Sequence, residues 1–248
     1  MAYICFKQFS MKVDILAFAA HPDDVELSCA GTLIKHINQG KKVVVVDLTR
    51  GELGTRGSAE LRDEEANASA VIMGLTARHN LDLGDGFFEI NTNTLTAIIK
   101  MIRLYKPDVV LCNAKSDRHP DHGRGGDLVS RACFLSGLVK IKTEISANMQ
   151  EPHRPKNVFR YIQDRWIEPD FVVDITNEFN EKLRAVKAFK SQFFDPDSEE
   201  PETPISSKEF MQYFEGRATN FGRIINAEYG EGFTVERALG IEDLTQIG

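Results

Sequence analysis

The sequence has only four cysteines, and no two of them form a C-x-x-C pair. A chain of 248 residues can bury a full hydrophobic core without crosslinks, so we expect these cysteines to be reduced thiols in a cytosolic protein. The sequence also lacks any apolar run close to the roughly 18 residues that a membrane-spanning helix needs. Lys7 and Gln8 fall where a signal peptide would have its apolar core, which predicts a cytoplasmic location.

Basic residues are also in short supply, with 30 lysines and arginines against 37 aspartates and glutamates. The net charge of −7 and the lack of a basic cluster disfavour nucleic acids and anionic membranes as partners. The hydrophobic fraction of 42% and the charged fraction of 27% are those of a globular protein and argue against disordered or collagen-like classes. A small polar substrate stays open, because local charge can oppose the net charge.

Short apolar runs alternate with amphipathic stretches through the first half of the chain. Strands are predicted at Val13–Ala20, Lys42–Leu48, Arg78–Leu83 and Asp108–Cys112. Helices are predicted after them, at Asp24–Gln39, Glu60–Met73, Thr92–Tyr105 and Asp121–Leu138. This repeated alternation predicts an α/β fold, with a Rossmann-like, doubly wound and mostly parallel sheet that carries helices on both faces.

The second half of the chain continues the alternation less regularly. Strands are predicted at Val158–Gln163 and Phe171–Ile175, and helices at Asn177–Lys190 and Phe210–Glu228. The acidic, proline-rich stretch Asp195–Ser207 predicts a loop, which is either a solvated surface or, over the region 195–217, a mobile lid or oligomer contact. No long linker divides the chain, so we expect one domain over residues 11–248, with residues 1–10 as an N-terminal extension.

Two dense polar clusters follow predicted strands. His21–Asp24 (HPDD) comes directly after the first strand, and Asp117–His122 (DRHPDH) comes shortly after the fourth. Either cluster alone also fits a helix N-cap or a turn. Because ligands of open α/β sheets bind beyond the carboxyl ends of the strands, we expect the two clusters to meet across one crevice. Together they predict a shared metal ion.

The residue types suit a catalytic zinc site. His21, Asp24 and His122 would supply two imidazoles and one carboxylate, a set that leaves one coordination position for water. Imidazole also binds iron and manganese, so the donor set does not fix the metal. Zinc lowers the pKa of bound water to about 7, and the neighbouring Asp23 is the predicted general base that takes the water proton.

Two further residues of the second cluster are candidates for catalysis. His119, when protonated, would stabilise an oxyanion and donate a proton to a departing amine. We expect Asp121 to hydrogen-bond the ring of His119 and hold it charged. Other catalytic motifs are missing: there is no G-x-S-x-G, and the loop with Gly51, Gly54 and Gly57 lacks the Gly-Lys-Ser/Thr ending of a P-loop. That loop either brings backbone N–H groups to a ligand or is a flexible turn.

These motifs resemble those of the PIG-L/LmbE-like zinc-dependent de-N-acetylases. The resemblance is carried by Ala20–Asp24 (AHPDD) with Glu26, and by Arg118–His122 (RHPDH). Four further stretches resemble the bacillithiol-biosynthesis branch of the family: Asp47–Gly57, Glu60–Ala66, Ser191–Phe193 and Glu228–Phe233. The resemblance implies a metal-dependent hydrolase that removes acetyl from an N-acetylglucosamine conjugate, with N-acetylglucosaminyl-malate as the substrate in that branch.

The resemblance also implies roles for individual residues. It makes His21, Asp24 and His122 the zinc ligands, Asp23 the base, and His119 the imidazolium supported by Asp121. It also implies one residue that binds substrate and one that helps to stabilise the oxyanion. Arg62 matches an arginine that contacts substrate, although an ion pair with Glu64 or Glu65 on its own helix is equally open. Phe210 or Tyr213 would occupy the position of a loop tyrosine that helps at the oxyanion.

The resemblance implies a homo-oligomer as well, often a hexamer in this family. Three alternatives to the malate conjugate stay open. The substrate can be another N-acetylglucosamine conjugate or a chitooligosaccharide. The chain can be a non-catalytic sugar-binding module on the same fold. A structural zinc site is the third alternative, but it would prefer four protein ligands, usually including cysteine.

Overall fold

A computed structural model describes residues 11–193 and 199–246 of the chain. The predicted N-terminal extension, residues 1–10, and positions 195–198 of the predicted acidic loop lie outside the described residues. The strands are β1 (Ile15–Ala19), β2 (Val43–Asp47), β3 (Ala77–Asn80), β4 (Val109–Cys112), β5 (Glu144–Ile145), β6 (Asn148–Met149), β7 (Asn157–Tyr161), β8 (Phe171–Asp174) and β9 (Gly230–Val235). The helices are α1 (Asp24–Ser28), α2 (Ala30–Asn38), α3 (Ala59–Met73), α4 (Thr92–Tyr105), α5 (Pro120–Ser136), α6 (Phe179–Lys187) and α7 (Lys208–Ile224).

Seven of these strands form one sheet in the order β3-β2-β1-β4-β7-β9-β8. The first five strands of that order run parallel, and β9 pairs antiparallel with both β7 and β8. Helices cover both faces: Leu16 and Phe18 of β1 pack in the core beneath α4 and α5, whereas Ala17 and Ala19 pack in the core beneath α2. The predicted mostly parallel, doubly wound α/β fold is confirmed.

The central strands are buried on both faces, which explains why continuous apolar runs encode them. All five residues of β1 and all five of β2 are buried. Alternate side chains along each strand point to opposite faces, and a helix layer on each face removes both sets from water. Among residues 11–193 and 199–246, no helix combines the length and the apolarity required to span a bilayer.

The single helix predicted over Asp24–Gln39 is wrong, because the structure has two helices there. The break falls at Cys29, whose φ of −143° lies outside the helical range. The buried carboxylate of Glu231 accepts the N–H groups of Gly31 at 3.0 Å and Thr32 at 2.7 Å, so the first turn of α2 has a cap from the far end of the chain. A local pattern of apolar residues carries no information about such a partner.

The strand pattern of the second half was only partly predicted. Strands β7 and β8 match predicted runs, but β9 and the β5–β6 hairpin were missed. The first three residues of β9 in GEGFTV have low β propensity, so the strand geometry there depends on its partners β7 and β8. Strands β5 and β6 have two residues each, too few for a periodic signal.

Candidate metal centre

The carboxyl ends of β1 and β4 bring the two polar clusters together. These strands are hydrogen-bonded neighbours in the sheet, so the loops that follow them leave at the same edge. The ring centroids of His21 and His119 are 4.6 Å apart, and that of His122 is 5.4 Å from His21 and 5.3 Å from His119. Nitrogen atoms of the three imidazoles lie within 4.8 Å of one another.

Asp24 lies between two of the imidazoles. Its Oδ1 is 3.0 Å from His122 Nε2, and its Oδ2 is 3.7 Å from His21 Nδ1. The carboxylate is buried, as are both histidines. The structure therefore brings together the three residues His21, Asp24 and His122, and it places His119 against them.

Further carboxylates contact the outer nitrogens of these histidines. His122 Nδ1 is 2.5 Å from Asp117 Oδ2, and His21 Nε2 is 3.0 Å from Asp85 Oδ1 and 3.5 Å from Asp121 Oδ2. A carboxylate on one ring nitrogen holds the proton there and leaves the other nitrogen free to bind a metal. The free nitrogens are then His122 Nε2 and His21 Nδ1, which are the two that face Asp24.

The electrostatic field of this cluster favours bound positive charge. Burial opposes protonation of His21, but hydrogen bonds to Asp121 and Asp85 together with the charge of Asp24 raise its pKa to about 10. Burial also opposes protonation of His122, but Asp24 and Asp117 raise its pKa to about 9. A group of carboxylates that holds two protons on imidazoles suits a divalent cation equally well, and nitrogen donors select a transition metal over calcium or magnesium.

Asp23 faces the same cavity from a strained backbone. Its φ of 123° is rare for any residue other than glycine. Asp23 Oδ2 lies 3.2 Å from a guanidinium nitrogen of Arg62, which also donates to the carbonyl of Pro22. Burial raises the pKa of Asp23 to about 7, although the positive charge of Arg62 opposes that rise.

The expected support of His119 by Asp121 is wrong. The Asp121 carboxylate instead accepts the Gly86 N–H at 2.8 Å and pairs with Arg124 at 2.9 Å, besides facing His21. His119 is the N-cap of α5, and its Nδ1 accepts the backbone N–H of Asp121 at 3.3 Å. Burial and the charges of His21 and His122 lower the pKa of His119, so its neutral form with a proton on Nε2 is favoured.

A cavity of about 270 Å³ opens beside the imidazoles. Gly51 and Gly54 of the glycine-rich loop form part of its wall, so this loop approaches the site closely. Gly51 has a φ of 66°, and a Cβ there would lie 3.1 Å from the Arg62 guanidinium carbon. Phe210 is on the wall, whereas the Tyr213 hydroxyl donates to the backbone carbonyl of Asp164.

Arg62 lies in this wall, where it pairs with Asp23, which favours the substrate-contact prediction over the helix ion pair. Glu65, one of the two alternative partners, accepts hydrogen bonds from the backbone and hydroxyl of Ser191 at 2.7 Å. Arg62 Nε and the Ser28 hydroxyl are buried at the cavity without a hydrogen-bond partner among the described residues. Two donors left unpaired in a cavity wall are candidates for hydrogen bonds to a substrate.

Sequence reasoning did not identify Asp85, Gln163 or Arg217 as residues of the site. Asp85 and Gln163 follow β3 and β7, and both strands end at the same edge of the sheet as β1 and β4. The rule that ligands bind beyond the carboxyl ends of strands could have found them, but neither residue belongs to a dense polar cluster. Arg217 comes from α7, and its contact with the site is not visible in the sequence.

Residues 16–133 match the PIG-L family, described as GlcNAc-PI de-N-acetylase. The chain is 31% identical over 230 residues to diacetylchitobiose deacetylase of Thermococcus kodakarensis, which covers 88% of this chain and 81% of that protein. A crystal structure of a conserved protein from Thermus thermophilus superposes with a TM-score of 0.82 at 31% identity, covering 93% of this chain and 98% of that one.

More distant relatives differ in what they act on. A probable N-acetyl-alpha-D-glucosaminyl L-malate deacetylase of Bacillus anthracis is 26% identical, with 72% of this chain and 81% of that protein covered. The 4-oxalmesaconate hydratase of Pseudomonas putida is 27% identical, with 71% and 73% covered. The fold therefore supports more than one reaction, and the substrate has to be argued from the site.

Proposed function

The chain belongs to the PIG-L family of GlcNAc-PI de-N-acetylases, and from this premise we propose that it is a metal-dependent hydrolase that removes the acetyl group from an N-acetylglucosamine conjugate. The observation that carries this proposal is the placement of Asp24 between His21 Nδ1 and His122 Nε2, with Asp23 on the wall of the same cavity. These are the groups that metal-assisted amide hydrolysis requires.

His21, Asp24 and His122 would hold the metal, with zinc as the first ion to test. A divalent ion bound there supplies Lewis acidity, which polarises an acetamide carbonyl and lowers the pKa of a water molecule. Asp117 and Asp85 orient the two imidazoles through their outer nitrogens. Structural zinc is disfavoured as an alternative because these three residues include no cysteine and open onto a cavity.

Asp23 is the proposed general base. Its carboxylate takes a proton from the attacking water as the C–O bond forms, and it then carries that proton to the amine as the C–N bond breaks. Arg62 restricts the carboxylate to one orientation through the contact at 3.2 Å. Acetate and a free glucosamine product result, so the atoms balance without a further reactant.

His119 is the proposed oxyanion donor. With Nδ1 occupied by the Asp121 N–H, the ring presents Nε2–H to the cavity. A neutral imidazole in this tautomer can donate a hydrogen bond to the oxygen that becomes negative during hydrolysis. This role differs from the imidazolium predicted from the sequence, because it does not need His119 to be charged.

Two groups are candidates for the aglycone, the part of the substrate attached to N-acetylglucosamine. N-acetylglucosaminyl-malate is supported by the arginines of the wall, because Arg118 and Arg217 both line it and guanidinium groups bind carboxylates. A second sugar is supported by the identity of 31% to diacetylchitobiose deacetylase. We take the malate conjugate as the first substrate to test and diacetylchitobiose as the second.

Amine release measured across a panel of substrates tests the proposal. The panel contains N-acetylglucosaminyl-malate, N,N'-diacetylchitobiose and N-acetylglucosamine, each with and without added Zn²⁺. We expect metal-dependent acetate and amine in equal amounts, with kcat/KM for the malate conjugate at least tenfold above that for free N-acetylglucosamine. A preference for diacetylchitobiose would assign the second aglycone. Hydration of 4-oxalmesaconate without any deacetylation would contradict the proposed reaction.

A further inference from the structure

Two buried side-chain amides contact both oxygens of the Asp24 carboxylate. Asn113 Nδ2 donates to Asp24 Oδ2 at 2.9 Å, and Gln163 Nε2 donates to Asp24 Oδ1 at 3.0 Å. Asn113 is fully buried and Gln163 is 4% exposed. Asn113 follows β4 and Gln163 follows β7, so three neighbouring strands, β1, β4 and β7, meet at this one carboxylate.

Backbone N–H groups fix which way each amide points. The N–H of Ala20 donates to Asn113 Oδ1 at 2.9 Å, and the N–H of Ala114 donates to Gln163 Oε1 at 3.2 Å. A carbonyl oxygen must face each of these donors, so the NH₂ group of each amide must face the other way, towards Asp24. Asn113 Nδ2 also donates to Gln163 Oε1 at 3.1 Å, which joins the two amides.

These contacts leave Asp24 little freedom as a metal ligand. Its Oδ2 accepts two hydrogen bonds, from the His21 backbone N–H at 2.9 Å and from Asn113, and these account for both of its lone pairs. Its Oδ1 accepts one from Gln163 and directs its other lone pair to His122 Nε2. One oxygen of the carboxylate is therefore open to an ion, and the other is not.

We propose that Asn113 and Gln163 form an amide clamp that makes Asp24 a ligand through Oδ1 alone, and that the clamp thereby sets the strength and the coordination number of the metal site. Both are positioning residues, because they act on the metal through Asp24. One-oxygen binding keeps the coordination number low, which suits zinc and other first-row transition ions better than calcium with its six to eight oxygens. This inference rests on the metal proposed above.

The test is the Zn²⁺ affinity of the purified full chain, measured by competition with a chromophoric chelator. In Gln163→Leu we expect the affinity to fall about 10- to 100-fold, the usual effect of removing a partner of a metal ligand. The matched control is Gln192→Leu, because Gln192 is also a buried glutamine of the cavity wall but donates to the Arg56 carbonyl and Ser191 instead. The control should bind Zn²⁺ within twofold of the wild type.

Visible absorption of the Co²⁺-substituted protein supplies a readout that a merely structural role would not change. Four-coordinate Co²⁺ absorbs much more strongly than six-coordinate Co²⁺, so a second oxygen of Asp24 that reaches the ion weakens the band. We expect a weaker band in Asn113→Leu, because this variant frees one lone pair of Asp24 Oδ2 for the ion, and an unchanged band in Gln192→Leu. Far-ultraviolet circular dichroism of each variant shows which of them fold.

The outcomes separate the two proposals. If the wild type and the Gln192→Leu control bind no Zn²⁺ or Co²⁺, the proposed metal site itself fails. If both bind, and either folded Gln163→Leu binds Zn²⁺ equally well or folded Asn113→Leu keeps an unchanged Co²⁺ band, the amide clamp is wrong and the metal site stands. A raised KM with unchanged metal affinity would also overturn the clamp, because it would make Gln163 a substrate contact.

Discussion

The two halves of the sheet contribute different kinds of residue to the candidate metal centre. The parallel half, β3-β2-β1-β4, leads into all three histidines of the candidate metal centre, through the loops after β1 and β4. The mixed half, β7-β9-β8, provides no imidazole there, but Gln163 after β7 contacts Asp24, and Glu231 in β9 caps α2. Reactive groups and the groups that position them therefore come from different parts of the chain.

The two halves also differ in whether their buried charged groups border the cavity. In the mixed half, Glu231 contacts the N–H groups of Gly31 and Thr32 and, at 2.5 Å, Lys182 Nζ. These neighbours satisfy its carboxylate, and it does not line the active-site cavity. In the parallel half, the carboxylate of Asp24 and the imidazoles open onto the cavity. A buried charge whose partners all lie within the protein has a structural role, whereas one beside a cavity is available for chemistry.

Removal of divalent ions should give the largest difference between the halves. We expect a strong chelator to lower kcat by at least about 10³-fold and added Zn²⁺ to restore it, because the proposed reaction depends on a metal ion that His21, Asp24 and His122 would hold. The ion pair in the mixed half should be unaffected, so circular dichroism should show a folded chain. Elemental analysis that finds an active protein without metal would contradict this prediction.

Asp23→Asn should have the next largest effect, again confined to the parallel half. The amide cannot take a proton, so we expect kcat to fall about 10²- to 10⁴-fold while Zn²⁺ binding stays within a few-fold. Steady-state kinetics with metal analysis measures both quantities. Asp63→Asn is a suitable control, because Asp63 pairs with Arg50 on a more exposed face of α3. A kcat near that of the wild type would exclude Asp23 as the base.

Lys182→Met, in the mixed half, should lower the stability of the fold and leave the metal site unchanged. It leaves the Glu231 carboxylate buried without its cation, so we expect the free energy of unfolding to fall by about 3–5 kcal/mol in chemical denaturation. Adding Glu231→Gln in the same chain should recover part of that loss, because the amide oxygen still accepts from the start of α2. Zn²⁺ affinity of the folded variant should change less than twofold. A large loss of affinity would show that the halves are not independent.

Arg62→Ala tests a contact within the parallel half. The variant frees the Asp23 carboxylate and removes a donor from the cavity wall, so we expect kcat/KM to fall roughly 10- to 100-fold, as for other charged hydrogen bonds. Comparing a malate conjugate with diacetylchitobiose separates two roles. An equal loss on both substrates indicates positioning of Asp23, and a loss confined to KM of the malate conjugate indicates a carboxylate contact. An unchanged kcat/KM for both would remove Arg62 from the site.

Tyr213→Phe should have the smallest effect of the set. The Tyr213 hydroxyl donates to the Asp164 carbonyl, and Phe210 is the aromatic residue of α7 on the cavity wall. We therefore expect kcat to change by less than about threefold, and Phe210→Ala to alter KM more than Tyr213→Phe does. A large drop in kcat for Tyr213→Phe would assign it the oxyanion role of the loop tyrosine found in some relatives.

The parallel half was predictable because its signals are local. The apolar runs of β1 and β2 and the polar clusters after β1 and β4 are contiguous in the sequence, and a single rule about strand ends brings the clusters together. The convergence of His21 with His122 follows from that rule once β1 and β4 are neighbours in the sheet, as the structure shows them to be. Family motifs then supplied the proposed role of each residue, which the spacing by itself did not fix.

The remainder depended on partners far away in the chain. The break at Cys29 follows from Glu231, about 200 positions later, and β9 becomes a strand only between β7 and β8. The contact between Asp121 and His119 was predicted from adjacency, but Asp121 turns towards Arg124 and the loop of Gly86. Periodicity and motif spacing report local geometry, so they do not reveal which buried donor satisfies which buried acceptor. The predicted homo-oligomer stays a prediction.

The strained backbone at Asp23 costs folding free energy at a residue that the proposed reaction requires. A residue with a side chain at a φ of 123° costs about 1–3 kcal/mol, and glycine would adopt this conformation without that cost. Asp23→Gly would relieve that strain, but it would also leave the buried Arg62 guanidinium without its carboxylate, a loss of about 3–5 kcal/mol that outweighs the gain. The ion pair with Arg62 therefore holds Asp23 in a conformation that the backbone alone would not favour, and engineering for stability has to seek its gains at other positions.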